Sequence, residues 1–355
     1  MSRDILLDSY GRFHEIPFHL ARRGHQVSLV CHSYRKVKGP HTRMDGNLSI
    51  QSFDLGSNPI AGFVAHYRRL DRLLSTERPD VIIAASDCYQ IILAARLARK
   101  HGITLLADLY DNFEAYGASR VPGILPAFYR ALTGAQKITV ISSPLQLYLQ
   151  QRLKSPPPIH LLGNAVADKF LVNINKSDAR RKFGIAPDAI CIGTAGDLNA
   201  RRGIDVLIDA FRKLAATDKR LQLILAGPCD KKQRIPDCPN IHYLGHLAHS
   251  GIPELFSALD VGVVCISDDI FGRFCFPQKF YEMVACQLPV VASRVGEMKR
   301  LMAGQPECLY HPDNSEDLQR ALSYQLDNRL RLSADVPTWE MQAIRLEMII
   351  NDPVN

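Results

Sequence analysis

No apolar run in this chain approaches the roughly 18 residues that would span a bilayer. The opening residues, MSRDILLDSYGRFHE, also lack the basic-then-apolar pattern of a signal peptide. The expectation is a cytoplasmic protein, with peripheral contact at the inner face of a membrane left open by its charge. The nine cysteines are odd in number and scattered, and none forms a CxxC pair. That argues against a disulfide frame or a zinc site and favours a reducing compartment. No repeat of 20–50 residues is present. The segment GTAGDL, Gly193–Leu198, lacks the glycine spacing of a dinucleotide fingerprint. No aromatic-basic stacking platform or reading helix points to nucleic acid.

What is present is length and alternation. A chain of 355 residues with 46% hydrophobic content can build two cores. Strand-like apolar runs alternate with helical segments, the mark of parallel sheets made from βαβ units. The first half offers strands at Asp4–Leu7, Val27–Cys31, Leu48–Phe53, Val81–Ala84, Thr104–Ala107, Ile138–Ile141 and Ile159–Leu162, with helices such as Glu15–Arg23 and Ala61–Glu77. The second half offers strands at Ala189–Thr194, Leu221–Ala226, Ile241–Leu244, Val261–Ile266 and Val290–Ala292. Its helices are expected at Ile204–Ala215, Gly251–Ala258, Gln278–Cys286, Gly296–Leu301, Glu316–Asp327 and Thr338–Ile350. Charge divides unevenly: residues 1–167 hold 20 basic and 12 acidic side chains, residues 168–355 hold 23 and 24. The whole excess of +7 therefore arises in the first half, which suggests an anionic partner such as a membrane surface or a phosphorylated acceptor.

The most informative stretch is FGRFCFPQKFYEMVACQLPVVAS, Phe271–Ser293. Pro277 suits the first position of a helix, where its missing N–H costs nothing. The N–H groups of Gln278 and Lys279 would then open an anion site strengthened by the lysine charge. Glu282, one turn further in, could accept hydrogen bonds from a sugar diol. Together these suit a nucleoside diphosphate, although a surface Lys–Glu pair on an amphipathic helix would look the same. A second cationic group, Arg201-Arg202, follows the strand ending near Gly196, and arginine grips phosphate bidentately. Asp268-Asp269 is weak evidence for a metal.

Here a resemblance emerges. Pro277-x-Lys279-x-x-Glu282, with Met283–Ala285 and Pro289–Val291 after it, resembles the donor-site motif of GT-B glycosyltransferases, in particular the retaining family GT4. Many members carry two glutamates eight positions apart. Glu282 matches the second, and Phe274 stands where the first would be. Gly196-Asp197-Leu198-Asn199-Ala200-Arg201-Arg202-Gly203 is similar to the family's G-R-L-x-x-x-K-G segment, with Arg202 for the lysine and Asp197 for the arginine. Tyr10-Gly11-Arg12 resembles its glycine loop, and Gly163–Val166 its N-G-V element. Asp108, Asp111 and Glu114 lie where members often carry an active-site histidine.

The resemblance implies an α/β fold of two Rossmann-like lobes facing each other across a cleft, with a C-terminal helix crossing back to the first. Expected boundaries are 1–165 for an acceptor-binding lobe, 166–335 for a nucleotide-sugar-binding lobe and 336–355 for the returning helix. Arg202 and Lys279 would stabilise the departing diphosphate, with Asp111 near the acceptor hydroxyl as the third catalytic group. Gly196, Arg201, Pro277, Gln278 and Glu282 would bind the donor, and Gly11 and Arg12 the acceptor. The donor would be a nucleotide sugar, a UDP-sugar by preference, and the acceptor a sugar or lipid-linked molecule. No metal and no other cofactor is expected. Two other readings share the fold: a sugar-nucleotide 2-epimerase, and a binding protein that has lost catalysis.

Overall fold

The computed structural model describes residues 9–33, 41–54, 59–333 and 335–353. The chain divides into two compact units. One comprises residues 1–163 and 339–355, the other 164–338. The strand expected at Asp4–Leu7 lies outside the described residues.

The first unit runs α1 (Arg12–Arg22), β1 (Val27–Ser33), β2 (His41–Asp45), β3 (Leu48–Asp54), α2 (Pro59–Glu77), β4 (Val81–Ala85), α3 (Cys88–His101), β5 (Thr104–Leu109), α4 (Ile124–Thr133), β6 (Lys137–Val140), α5 (Ser143–Arg152) and β7 (Ile159–Leu161). Strands β4-β5-β6-β7 form one parallel sheet. Strands β1 and β3 pair in parallel with Val27 opposite Leu48, and β2 adds antiparallel to β3. Strand β2 has no buried residue and gives no apolar signal, which is why it was not anticipated. Helix α1 begins three residues before the expected Glu15, because Gly11 takes φ +80° and starts the helix at Arg12.

The second unit runs α6 (Lys176–Lys182), β8 (Ile190–Ala195), α7 (Ile204–Ala215), β9 (Leu221–Ala226), β10 (Ile241–Tyr243), α8 (Ile252–Ala258), β11 (Val261–Val264), α9 (Gln278–Ala285), β12 (Val290–Ser293), α10 (Glu297–Leu301), β13 (Leu309–Tyr310) and α11 (Ser315–Asn328). Its six strands are all parallel, in the order β10-β9-β8-β11-β12-β13. The order reverses between β8 and β11. In such doubly wound sheets ligands bind outside the carboxyl ends of the strands at that reversal. Helix α7 buries Ile204, Leu207, Ile208, Phe211 and Leu214 in one apolar cluster with Leu318 and Leu322 of α11. A second cluster gathers Phe256 of α8, Phe280 and Met283 of α9, and Met298 of α10. The sheet is thus covered by two helical layers.

Helix α12 (Trp339–Asn351) follows the second unit but belongs to the first, where it packs along α1. Trp339 is fully buried. The Lys137 ammonium donates to the carbonyls of Ile349, Ile350 and Asp352, which closes the helix's C-terminal end with a cation as the helix dipole favours. Arg23 and His25 both reach Glu347 on α12. Just before α12, Thr338 bridges to Val166 and Val166 N donates to the Pro337 carbonyl, so the two linking segments run side by side.

Candidate functional site

Strand β8 ends at Ala195, and Gly196 follows with φ +116°, a region side chains disfavour. A Cβ on Gly196 would stand 3.2 Å from the Lys279 ammonium. Gly227, at the end of β9, has φ +127°, and a Cβ there would meet the Gly196 carbonyl at 2.1 Å. Two strand-end turns therefore touch backbone to backbone, and the Lys279 side chain lies directly over the first. Lys279 is the second residue of α9. Pro277 caps that helix from outside instead of occupying its first turn, and no side chain caps the free N–H groups. The expected position of Pro277 is corrected by one residue, with the anion-facing helix end unchanged.

Arg202 enters this place from the short 3-10 turn Ala200–Arg202. Its backbone N–H is held by the Asn199 side chain at 3.0 Å, and its guanidinium lies 4.7 Å from the centre of the Phe271 ring. Burial and the charge of Arg202 push the Lys279 ammonium down to about 8, against the opposing pull of Cys265, Asp197 and Glu282. Two neighbouring cations, beside an open helix start and a glycine turn, form a site for an anion of more than one charge. The side chain of Arg201 is outside the described part of the structure.

Glu282 is 6% exposed. Its Oε1 accepts from Gln278 Nε2 at 2.8 Å and lies 2.9 Å from His249 Nε2. His249 Nδ1 lies 2.9 Å from the Lys169 ammonium, and the imidazole packs at 5.3 Å on Phe170. Gln278 thus contacts Glu282 instead of facing outward from the helix tip. Neither His249 nor Lys169 was anticipated: the loop Leu247–Ser250 has no local pattern, and both meet Glu282's neighbourhood only through the fold. At Phe274, the place of the absent first glutamate, the chain makes a tight turn in which Cys275 N bonds the Phe271 carbonyl. Asp269 caps that turn through Gly272 N, and Asp268 pairs with Arg273. Both aspartates are therefore occupied.

In the first unit, two residues expected near the acceptor are engaged internally. Arg12, placed on the acceptor side from sequence, is 6% exposed and internally bonded. Its Nε and Nη2 donate to the two oxygens of Asp108 at 2.9 and 2.6 Å, and its Nη1 donates to the carbonyls of Leu162 and Gly163. Thr139 adds a third bond to Asp108. This is a strut joining α1, β5, β6 and the end of the unit, with no donor array left for a substrate. Asp111 is also drawn inward. One oxygen accepts from Asn112 N and the other from the Tyr116 hydroxyl at 2.7 Å. Burial and Asp111 together push the Tyr116 phenol up, so it stays a donor. Glu114 accepts from Tyr129 and Tyr148, tying the same loop to α4 and α5. Asp111 is a loop anchor, not a free carboxylate. Gly11 stands at the start of α1, next to His14, which is buried with neither ring nitrogen hydrogen-bonded.

On the surface of the first unit, α2 exposes Phe63 and Val64 one turn before the exposed Arg68, Arg69 and Arg72. Further along the chain, Val121 is exposed, but Phe128 of α4 is core. No described helix is long and apolar enough to cross a membrane.

Family models match both units: a glycosyl transferase 4-like domain over residues 12–165, and glycosyl transferases group 1 over residues 188–328. The chain belongs to the GT4-like glycosyltransferases. Among solved structures, the sucrose-phosphate synthase of Thermosynechococcus elongatus superposes on this GT4-like chain with a TM-score of 0.76. It covers 95% of this chain and 91% of that one at 17% identity. Anabaena Alr3699/HepE, solved in complex with UDP, gives a TM-score of 0.66 over 92% and 95% at 16% identity. These likenesses show the GT-B fold. A curated relative, the D-inositol 3-phosphate glycosyltransferase of Stackebrandtia nassauensis, is 26% identical over 202 residues, 52% of this chain and 44% of the relative. The chain spans about a third to a half of the length of the curated relatives it matches.

Proposed function

We propose that the protein transfers a sugar, with retention of anomeric configuration, from a nucleotide-sugar donor to an acceptor hydroxyl. The observation that carries this reading is the cation pair Arg202–Lys279 at the uncapped start of α9, beside the Gly196 turn. As the sugar–phosphate bond breaks, negative charge grows on the departing diphosphate. Cations fixed in place beforehand stabilise that charge without reorganising. Glu282, one turn deeper, receives the ribose. UDP is the favoured nucleotide, in keeping with the UDP held by the fold neighbour HepE. No metal enters this reading, because the two cations and the helix start supply the positive field.

The first unit takes the acceptor. Its excess of positive charge suits an anionic one, and the Stackebrandtia relative is named for inositol 3-phosphate. Phe63 and Val64 beside Arg68 and Arg72 favour contact with an anionic membrane surface, hence a lipid-linked acceptor in polysaccharide or glycolipid assembly. The test begins with thermal shift against UDP, GDP and ADP, since a ligand of the native state raises its melting temperature. UDP is expected to give the largest shift, and Glu282→Ala to weaken its binding by about 1–3 kcal/mol. Incubation with UDP-sugars should then release UDP and glycosylate an acceptor. An epimerised donor, or Glu282→Ala binding UDP as tightly as the parent with its fold intact by circular dichroism, overturns the reading.

A further inference from the structure

We infer that Lys169 and His249 act as a relay that positions Glu282 and makes one oxygen of that carboxylate the ribose acceptor. This rests on the donor-site reading above and adds two positioning residues to it. An ammonium has only donors. At 2.9 Å from Lys169, the His249 Nδ1 must therefore accept, and in a neutral imidazole the proton then sits on Nε2. Nε2 faces Glu282 Oε1 at 2.9 Å and donates to it, while Gln278 donates to the same oxygen at 2.8 Å. Oε1 is thus doubly occupied, whereas no hydrogen bond to Oε2 is found among the described residues. A hydroxyl of a bound ribose meets Oε2.

The arrangement is built from three separate segments. Lys169 lies on the 3-10 turn Asp168–Phe170, His249 opens the turn before α8, and Glu282 is on α9. The bond from Gln278 is a helical i, i+4 contact that any such helix can make. The bond from His249 spans 33 residues and is fixed by Phe170, a fully buried ring under the imidazole. A lysine bonded directly to Glu282 could reach either oxygen and would leave the carboxylate free to turn. With the imidazole interposed, its N–H and the Gln278 amide both hold Oε1, and the direction of the carboxylate is set. This is how groups behind a ligand-binding side chain orient it.

The experiment is isothermal calorimetry of UDP and 2′-deoxy-UDP with the full chain and its variants. The parent and Glu282→Ala establish the ribose contribution: the parent should prefer UDP by on the order of 10-fold, and Glu282→Ala should lose that preference. His249→Ala is expected to weaken UDP by on the order of 10-fold but 2′-deoxy-UDP by no more than about 3-fold. His249→Gln keeps a donor near the Nε2 position and should hold the parent's preference to within about 3-fold. Lys169→Met removes the ammonium donor from Nδ1 and should fall between the two. A purely structural role would weaken both nucleotides equally and would not be rescued by glutamine. If Glu282→Ala loses the preference while His249→Ala and Lys169→Met retain it, the relay is overturned and the donor site stands. If Glu282→Ala binds like the parent, or the parent does not distinguish the two nucleotides, the site reading and the relay fall together. Should His249→Ala not fold, Lys169→Met with the parent's preference is sufficient to overturn the relay.

Discussion

Arg12 is buried and Lys279 half-buried, and the two basic side chains are placed oppositely. Arg12 meets the two oxygens of Asp108 and two backbone carbonyls, so its charge is closed within the first unit. Lys279 has another cation, Arg202, as its strongest charged neighbour, and no hydrogen bond or ion pair to its ammonium is found among the described residues. A buried charge that is fully paired holds a fold together, and removing its partner is costly. A desolvated cation set beside a second cation, as Lys279 is, works against the fold until an anion arrives. The contrast therefore separates a scaffold charge from a binding charge by what surrounds each.

The largest expected effect falls on the scaffold charge. Arg12→Ala leaves Asp108 buried without its cation and should destabilise the protein by about 3–5 kcal/mol in denaturant titrations. A variant that is as stable as the parent but inactive would break the comparison and return Arg12 to the substrate. Next comes Lys279→Met. Turnover should drop by on the order of 10²-fold or more, the cost of losing one preorganised stabilising group. The melting temperature should stay level or rise, because the burden of the buried charge is gone. Turnover within a few-fold of the parent would remove Lys279 from the mechanism.

The pH dependence sharpens the same contrast. The native Lys279 loses its proton near pH 8 instead of near 10.5, so between those values the unfolded chain holds more protons. Stability without ligand should rise as pH climbs through that window, and the cost of the charge is fully present below about 8. UDP affinity should move the other way: steady well below pH 8, then falling by up to about tenfold per pH unit above it. Calorimetry of Lys279→Met should show this slope flattened. The smallest effect concerns α2. Arg68→Ala and Arg72→Ala should each weaken sedimentation with anionic vesicles by about 1 kcal/mol at low salt. If the parent stays in the supernatant under those conditions, the membrane reading is wrong and the acceptor is soluble.

Strand β9 and helix α7 could be read from sequence to the residue, since their apolar positions face one continuous core. The edge strand β2 and the two-residue β13 could not, because pairing defines them and burial pattern does not. The chemistry divides in the same way. Lys279 and Glu282 share one helix, so their relation is written in their spacing. Arg12 and Asp108 are 96 residues apart, so the strut looked like a free cation and a free carboxylate. Asp111 looked free because nothing in its spelling announces that Tyr116 will turn back onto it. His249 and Lys169 lie 80 residues apart, and only the fold shows that they belong to Glu282.

The return of α12 to the first unit has a consequence for biosynthesis. The ribosome completes the second unit before it makes residues 339–351, so α1 must wait for its helical partner. At about 5–20 residues per second, that wait lasts on the order of 10–30 s. Throughout it the second unit has its entire sequence and can close its own sheet, while the first remains an unfinished fold with Ile16 and Leu20 on a helix still lacking a neighbour. The half proposed to grip the nucleotide is thus ready first, and the half proposed to meet the acceptor is the one exposed to chaperones and proteases during synthesis.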